Sequence, residues 1–376
     1  MGPLQGLKII EVAGIGPGPF CGMLFADMGA EVISIEKSTD KTKTRLPDCA
    51  RRGKRSIALN LKSEEGVATL LKLVEGADAI FEGFRPGVME KLGLGPDACL
   101  KVNPKIVYGR MTGWGQYGPL SQAAGHDINY ISLTGALHAM GRSHDKPVPP
   151  LNLVGDFGGG GMFLAFGMVC ALLEAQKSGK GQVIDAAMTD GSALLMSMFN
   201  FLQQVGMWST ERGTSFLDSG AHFYEVYETL DNKYISIGSI EPQFYQVLME
   251  KAQLNVDIFS QQNNQKKWPE MKAQLEAVFK SKTQDEWCLL MEGTDVCFAP
   301  VLNLNEAQQH PHNIARDTYI NVGGMMQPAP APRFSRTSPE VQFSARANGE
   351  DTDTVLADWG FSLEEISTLR KSAALS

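Results

Sequence analysis

Leu7-Lys8-Ile9-Ile10-Glu11-Val12-Ala13-Gly14-Ile15-Gly16-Pro17-Gly18-Pro19-Phe20 is the stretch on which the fold turns. Leu7 to Val12 is short, apolar and rich in β-branched residues, so it reads as a buried strand. A Gly/Pro loop follows. Phe20 to Met28 then reads as a helix, with Gly29 placed to cap its C-terminus. The same alternation continues outward. Strands are predicted at Glu31 to Glu36, Ser56 to Leu61, Asp78 to Glu82 and Ile106 to Met111. A helix is predicted over Ser63 to Glu75, with Ser63 as N-cap and Glu64 and Glu65 in its first turn. The pattern predicts an α/β fold with a mostly parallel sheet covered on both faces, whose ligands sit beyond the carboxyl ends of the strands.

Further along, Asp156 to Gln176 is a long apolar segment opened by Gly158-Gly159-Gly160-Gly161, and reads as a buried helix. Gln182 to Ala186 reads as a strand. Thr189 to Met207 has helical spacing and carries Met196, Met198 and Met207, which suit either a core or a soft apolar binding surface. From His222 the pattern turns α+β. His222 to Leu230 and Tyr234 to Ile240 read as a hairpin through Asp231-Asn232-Lys233. Helices follow near Gln243 to Lys251, Trp268 to Lys280 and Gln284 to Glu292. A Pro-rich connector spans 327–339, and two short amphipathic helices follow, near Asp353 to Trp359 and Leu363 to Ser372.

The 376 residues carry 34 basic and 42 acidic side chains, a formal net charge of -8, and 43% are hydrophobic. That balance excludes a disordered chain and disfavours a nucleic-acid partner. No unbroken run of about 18 apolar residues appears, so no membrane span is expected. The beginning of the sequence lacks the pattern of a secretory signal. The closing Ser-Ala-Ala-Leu-Ser is not a peroxisomal address. The six cysteines are scattered, and His310-Pro311-His312 lacks the spacing of a ligand set. Neither a disulfide framework nor a metal site is expected, and a cytoplasmic location is.

Four features invite chemistry. The first loop resembles a dinucleotide fingerprint in outline, with Glu36 at the right remove. Its third glycine is absent, however, and Pro17 and Pro19 lack the N–H groups a pyrophosphate would need, which argues against an NAD-dependent oxidoreductase. Second, Lys37, Arg51, Arg52, Lys54, Arg55, Lys62, Arg85 and Lys91 cluster in an acidic protein and suit a ligand bearing several phosphate charges; a solvated face is the plainer reading. Third, His126 and Asp127 adjoin in a stretch of low charge, where a lone His is more often structural. Fourth, two carboxylates stand at helix starts: Asp156 in an apolar run, and Glu241 before Pro242. Asp156 reads equally as a functional acid or an N-cap, and the plainer reading of Glu241 is an ordinary helix-start acid.

Several of these segments carry a resemblance. Gly6 to Phe20, Asp27-Met28-Gly29-Ala30-Glu31-Val32, Gly83-Phe84-Arg85-Pro86-Gly87, Gly113-Trp114-Gly115-Gln116 and Gly179-Lys180-Gly181-Gln182-Val183-Ile184-Asp185 resemble the family III CoA-transferase superfamily. Gly155-Asp156-Phe157-Gly158-Gly159-Gly160 carries the resemblance further, and Gly125-His126-Asp127-Ile128-Asn129-Tyr130 and Glu241-Pro242-Gln243-Phe244-Tyr245 look like its 2-methylacyl-CoA racemase branch. The resemblance implies an interlocked homodimer. Residues 1–200 and the returning tail 327–376 would form a large Rossmann-like domain, and 201–326 a small α+β domain, with the active site between subunits. It implies acyl-CoA thioesters as substrates and no cofactor beyond the coenzyme A they carry. His126 and Asp156 would be the two acid/base groups, with Glu241 of the partner subunit supporting His126. Lys37, Lys62, Arg85 and Lys91 would meet the phosphates or adenine, Asp127 and Tyr130 the pantetheine arm, and Ile15 and Gly16 would run along CoA through their backbone. Two acid/base groups suit proton removal from one face of C2 and delivery to the other. The alternatives are a CoA-transferase with Asp156 as covalent nucleophile and a non-catalytic CoA-binding protein.

Overall fold

Apolar side chains alternate along the first strands so that both faces of a sheet are buried. On β1 (Lys8–Val12), Ile9 belongs to one core cluster and Ile10 and Val12 to another; on β2 (Glu31–Glu36), Val32 opposes Ile33 and Ile35 in the same way. In the computed structural model, which describes residues 2–12, 14–37 and 48–375, they join β3 (Lys54–Ala58), β4 (Ala79–Glu82), β5 (Val107–Thr112) and β6 (Gln182–Ala187). All neighbours in this six-stranded sheet are parallel, in the order β3-β2-β1-β4-β5-β6. The order reverses between β1 and β4, where diverging connections leave a crevice at the carboxyl ends of the strands.

Helices Pro17–Asp27 and Met162–Ser178 cover one face through Cys21, Phe25, Leu164 and Met168. Helices Glu64–Glu75 and Pro96–Val102 and two C-terminal helices, Thr352–Asp358 and Leu363–Lys371, cover the other. The sheet edge at β3 is closed by the end of the chain. The N–H of Ser56 donates to Asp351 Oδ2 at 3.0 Å, that of Ala58 to Thr352 Oγ1 at 3.1 Å, and that of Asn60 to the carbonyl of Ala374 at 2.9 Å.

Charges lie beneath the helix Pro17–Asp27. Lys54 Nζ donates to the buried Glu11 Oε2 at 2.5 Å and to the Pro19 carbonyl at 3.1 Å. Gly22 makes the room: a Cβ there would stand 2.0 Å from Glu11 Oε2. Burial pushes the Glu11 carboxyl above its ordinary range, and the Lys54 charge opposes the rise. Arg52 holds the buried Asp27 through Nε at 3.0 Å and Nη2 at 2.6 Å. Arg51 pairs with Glu36 at 2.8 Å, and Arg55 with Glu31 and Asp358. Four of the eight basic residues read from the sequence as one phosphate-seeking cluster are therefore paired with carboxylates of this chain, and for Arg52 and Lys54 both members of the pair are buried. A buried cation demands such a partner, and sequence spacing does not reveal it.

The segment around Asp156 differs from a plain buried helix. Leu153–Gly161 is π-helical and runs directly into Met162–Ser178. Leu164, Met168, Ala171 and Leu172 are buried in the core, whereas Met162, Phe166, Val169 and Leu173 form an exposed stripe. The continuous 26 residues of Leu153–Ser178, mean hydropathy 1.6 in their most apolar window, are long and apolar enough by composition to cross a membrane. The count of unbroken apolar residues missed this because glycines, Asp156 and other small or polar residues interrupt it. The helix predicted over Thr189 to Met207 breaks at Met196 into Met188–Leu195 and Ser197–Gln204.

The chain divides into two units. The first holds residues 1–134, 151–195 and 317–376; the second holds 135–150 and 196–316. The second is α+β. Strands β7 (Tyr224–Glu228), β8 (Tyr234–Gly238) and β9 (Phe298–Val301) form an antiparallel sheet. It shares a core with helices Pro242–Lys251, Trp268–Phe279 and Gln284–Met291. These divisions differ from the sequence boundaries chiefly at 135–150, which Arg142 ties to the second unit through two bonds to Glu225, at 2.5 and 2.7 Å.

Candidate active site

A cavity of about 870 Å3 opens at the carboxyl ends of β1, β4 and β5, beside the switch in strand order. Its walls come from the loop after β1 (Ile15, Gly16), the loop after β4 (Phe84, Arg85), the turn after β5 (Gly113, Trp114), and His126, Asn129, Tyr130, Asn152 and Asp156. The volume lies within the range of small-molecule sites. Ile15, Gly16, Arg85, His126, Tyr130 and Asp156, all singled out from the sequence, thus meet in one place.

His126 is the exposed N-cap residue of the helix Asp127–Leu133, and Asn129 Oδ1 fixes its backbone by accepting its N–H at 3.0 Å. Asp156 lies in the first turn of the π-helical stretch. It is half-buried, and Asn152 Nδ2 donates to its Oδ2 at 3.2 Å. Burial raises the Asp156 carboxyl above its usual range. The Asn152 bond opposes that, the neighbouring Asp127 charge adds to it, and His126 opposes it. Gly16 touches the same carboxylate: with φ 67° and ψ -117°, its missing Cβ would stand 3.0 Å from Asp156 Oδ2. The loop needs glycine there twice over, for its backbone and for its neighbour.

Tyr130 closes one wall. Its hydroxyl donates to the carbonyl of Gly125, and its ring meets Trp114 edge-on at 4.8 Å. Burial, then the nearby Asp156, pushes its phenol up. Gly113 is needed beneath it, since a Cβ there would overlap the Tyr130 ring at 2.0 Å.

Glu82, at the end of β4, was not foreseen. It lines the cavity and is almost wholly buried. Oε2 accepts the N–H of Phe84 at 2.7 Å and Oε1 the Nε of Arg110 at 3.2 Å, while Arg110 also grips Glu90. Burial pushes the Glu82 carboxyl up to about 7 against these bonds. An acidic residue closing an apolar strand was the available signal. Asn152 was also missed; its i, i+4 spacing to Asp156 in a helical segment was the signal.

The remaining predicted residues lie elsewhere. Lys37, Lys62 and Lys91 are exposed and follow the carboxyl ends of β2, β3 and β4 in the chain, outside the cavity wall. Asp127 is buried behind the wall rather than lining it. Glu241 is the exposed N-cap residue of the helix Pro242–Lys251 in the second unit.

Residues 4–352 match the CoA-transferase family III. The chain is 46% identical over 366 residues to alpha-methylacyl-CoA racemase of Mus musculus. It is 42% identical over 367 residues to alpha-methylacyl-CoA racemase of Homo sapiens. Each comparison covers 96% of this chain and 95% of the relative. The crystal structure of a CaiB/BaiF family protein from Brucella suis shares the fold, with a TM-score of 0.82 at 24% identity over 95% of this chain and 99% of that one.

Proposed function

Because this chain belongs to the CoA-transferase family III, we propose that it is an isomerase interconverting (R)- and (S)-2-methylacyl-CoA thioesters by proton transfer at C2. Its identity to proteins named alpha-methylacyl-CoA racemase supports the reading. The observation that carries it in the structure is that His126 and Asp156 share one cavity, with the carboxyl of Asp156 raised by burial.

The chemistry needs two groups that each exist in both protonation states near neutral pH. Neutral His126 takes the C2 proton from one face and becomes imidazolium. The electron pair moves onto the thioester oxygen as an enolate. Protonated Asp156 then delivers its proton to C2 on the opposite face and becomes carboxylate. The reverse direction starts from the other protonation pattern, Asp156 as carboxylate and His126 as imidazolium. A carboxyl with its ordinary pKa would almost never hold the proton this scheme requires, and burial moves Asp156 in the direction the scheme needs. First-turn backbone amides of the helix Asp127–Leu133 are the donors suited to the enolate oxygen.

Arg85 in the cavity wall, with Lys37, Lys62 and Lys91 beyond the strand ends, takes the phosphates and adenine of coenzyme A. Ile15 and Gly16 follow the thioester arm through their backbone, and Tyr130 lines it. Coenzyme A is part of the substrate, and no further cofactor enters the scheme. The protein is a homodimer in which Glu241 of the partner subunit supports His126. The exposed stripe of Met162, Phe166, Val169 and Leu173 favours such an assembly, because contiguous apolar surface of this kind marks an interface. Met196 and Met198 belong to the surface that receives the acyl chain.

The test is proton NMR of a single-enantiomer 2-methylacyl-CoA in deuterated water. Loss of the C2 proton signal with inversion of configuration is expected from the wild type. Loss of inversion is expected from His126→Ala and Asp156→Ala. Acyl transfer to an added acid without C2 exchange, with hydroxylamine trapping on Asp156, would make the protein a transferase instead.

A further inference from the structure

Asp127 was expected, from the resemblance, on the pantetheine arm. The structure gives its carboxyl another task. The residue is 6% exposed, and Oδ2 accepts the backbone N–H of Asp156 at 2.6 Å. Gly155 permits the approach: a Cβ there would stand 2.5 Å from that oxygen and 2.8 Å from Cγ. The other oxygen, Oδ1, is buried without a hydrogen-bond partner among the described residues. Asp127 follows His126 directly in the chain. One carboxyl therefore joins the segment bearing one proton-transfer group to the peptide bearing the other. The amide it holds lies in the first turn of a helical stretch, where an N–H has no partner of its own turn and a negative charge is favourable.

We propose that Asp127 is a positioning residue that fixes Asp156 relative to His126 for proton transfer at C2, by holding the Asp156 amide. The inference rests on the racemase reading. A side chain out of place by about 1 Å can lower a rate by about a hundredfold, so a single strong bond to the backbone of an acid/base residue matters to turnover. The carboxyl also acts through its charge. The groups facing Asp156 are Asn152 from its own turn, His126, Asp127 and Tyr130 from the neighbouring helix and its cap, and Gly16 from the first loop. Among them Asp127 favours the protonated form of Asp156, whereas Asn152 and His126 favour the carboxylate.

Two variants separate position from charge. Asp127→Asn keeps the shape and an oxygen to accept the amide but removes the charge. Asp127→Ala removes both. The probe is the enantiomer of a 2-methylacyl-CoA whose C2 proton Asp156 removes, because the acidic limb of kcat/KM then reports Asp156. Asp127→Ala is expected to lower kcat by about ten- to a hundredfold with KM within about twofold of wild type. Asp127→Asn is expected to retain more of kcat than Asp127→Ala, with its acidic limb moved to lower pH. A rise in KM with kcat and pH profile unchanged in both variants overturns the proposal and returns Asp127 to the pantetheine arm. Equal losses of kcat that only track the unfolded fraction in urea melts overturn it too, leaving a structural residue. Wild-type enzyme that exchanges no C2 proton sinks the racemase reading and this proposal with it; wild-type exchange with either of the two preceding results sinks this proposal alone.

Discussion

Replacing Gly16 by alanine tests whether the first loop serves the carboxyl of Asp156 or only turns the chain. Gly16 sits at φ 67° and ψ -117°, a region that side-chain-bearing residues avoid at a cost of about 1–3 kcal/mol. The new methyl would start 3.0 Å from Asp156 Oδ2, several tenths of an ångström inside comfortable carbon–oxygen contact. The carboxyl must move by that amount, or the loop must abandon its path over the cavity. Taking about a hundredfold in rate per ångström of misplacement, a shift of a few tenths lowers C2 exchange by about tenfold. Gly18 provides the comparison. It has no neighbour within 4 Å of a built Cβ and lies inside the helix Pro17–Asp27, so Gly18→Ala should be neutral or stabilising by about 0.5–1 kcal/mol. Urea unfolding and deuterium exchange at C2 read the two effects separately. A Gly16→Ala protein with stability within about 0.5 kcal/mol of wild type and unchanged exchange would refute the reasoning.

Three more outcomes are expected. Lys54→Ala leaves the buried Glu11 carboxylate without its ammonium and should destabilise the protein by about 3–5 kcal/mol in urea; a loss below about 1 kcal/mol would mean that Glu11 is not charged in the native protein. Glu82, raised from 4.5 to about 7, contributes stability that is full below pH 4.5 and lost as pH rises through about 7. That difference corresponds to about 3 kcal/mol, and Glu82→Gln should lack the slope, so parallel stability–pH curves for the two proteins would contradict the assignment. Asn152→Ala removes a bond that favours the Asp156 carboxylate, so with the enantiomer whose C2 proton Asp156 removes the acidic limb of C2 exchange should move to higher pH, and an unmoved limb would show that Asn152 does not act on Asp156.

Elements governed by local periodicity were legible in the sequence. Glu31–Glu36 forms a strand over the residues predicted, and Ser63 caps the helix Glu64–Glu75, its hydroxyl accepting the N–H of Gly66. The first helix begins at Pro17 rather than Phe20, because a proline is tolerated in a first turn, where the N–H has no partner. The gathering of Ile15, Gly16, Arg85, His126, Tyr130 and Asp156 follows from parallel strands that present their carboxyl ends to one crevice. What spacing concealed was pairing across the sheet. Arg52 and Lys54 look like phosphate ligands until Asp27, at the end of the first helix, and Glu11, beneath that helix, are brought against them. The rise of Glu82 was hidden for the same reason, since burial belongs to the assembled sheet and not to the strand.

The closure of β3 by the end of the chain bears on how the protein is made. The chain passes between the two units four times, and the residues that satisfy Ser56, Ala58 and Asn60 emerge from the ribosome long after β3 itself. Until some 290 further residues are synthesised, β3 offers a row of open amides, the kind of edge through which nascent chains aggregate. A premature stop that spares every residue of the cavity would therefore still act on solubility, by leaving that edge bare.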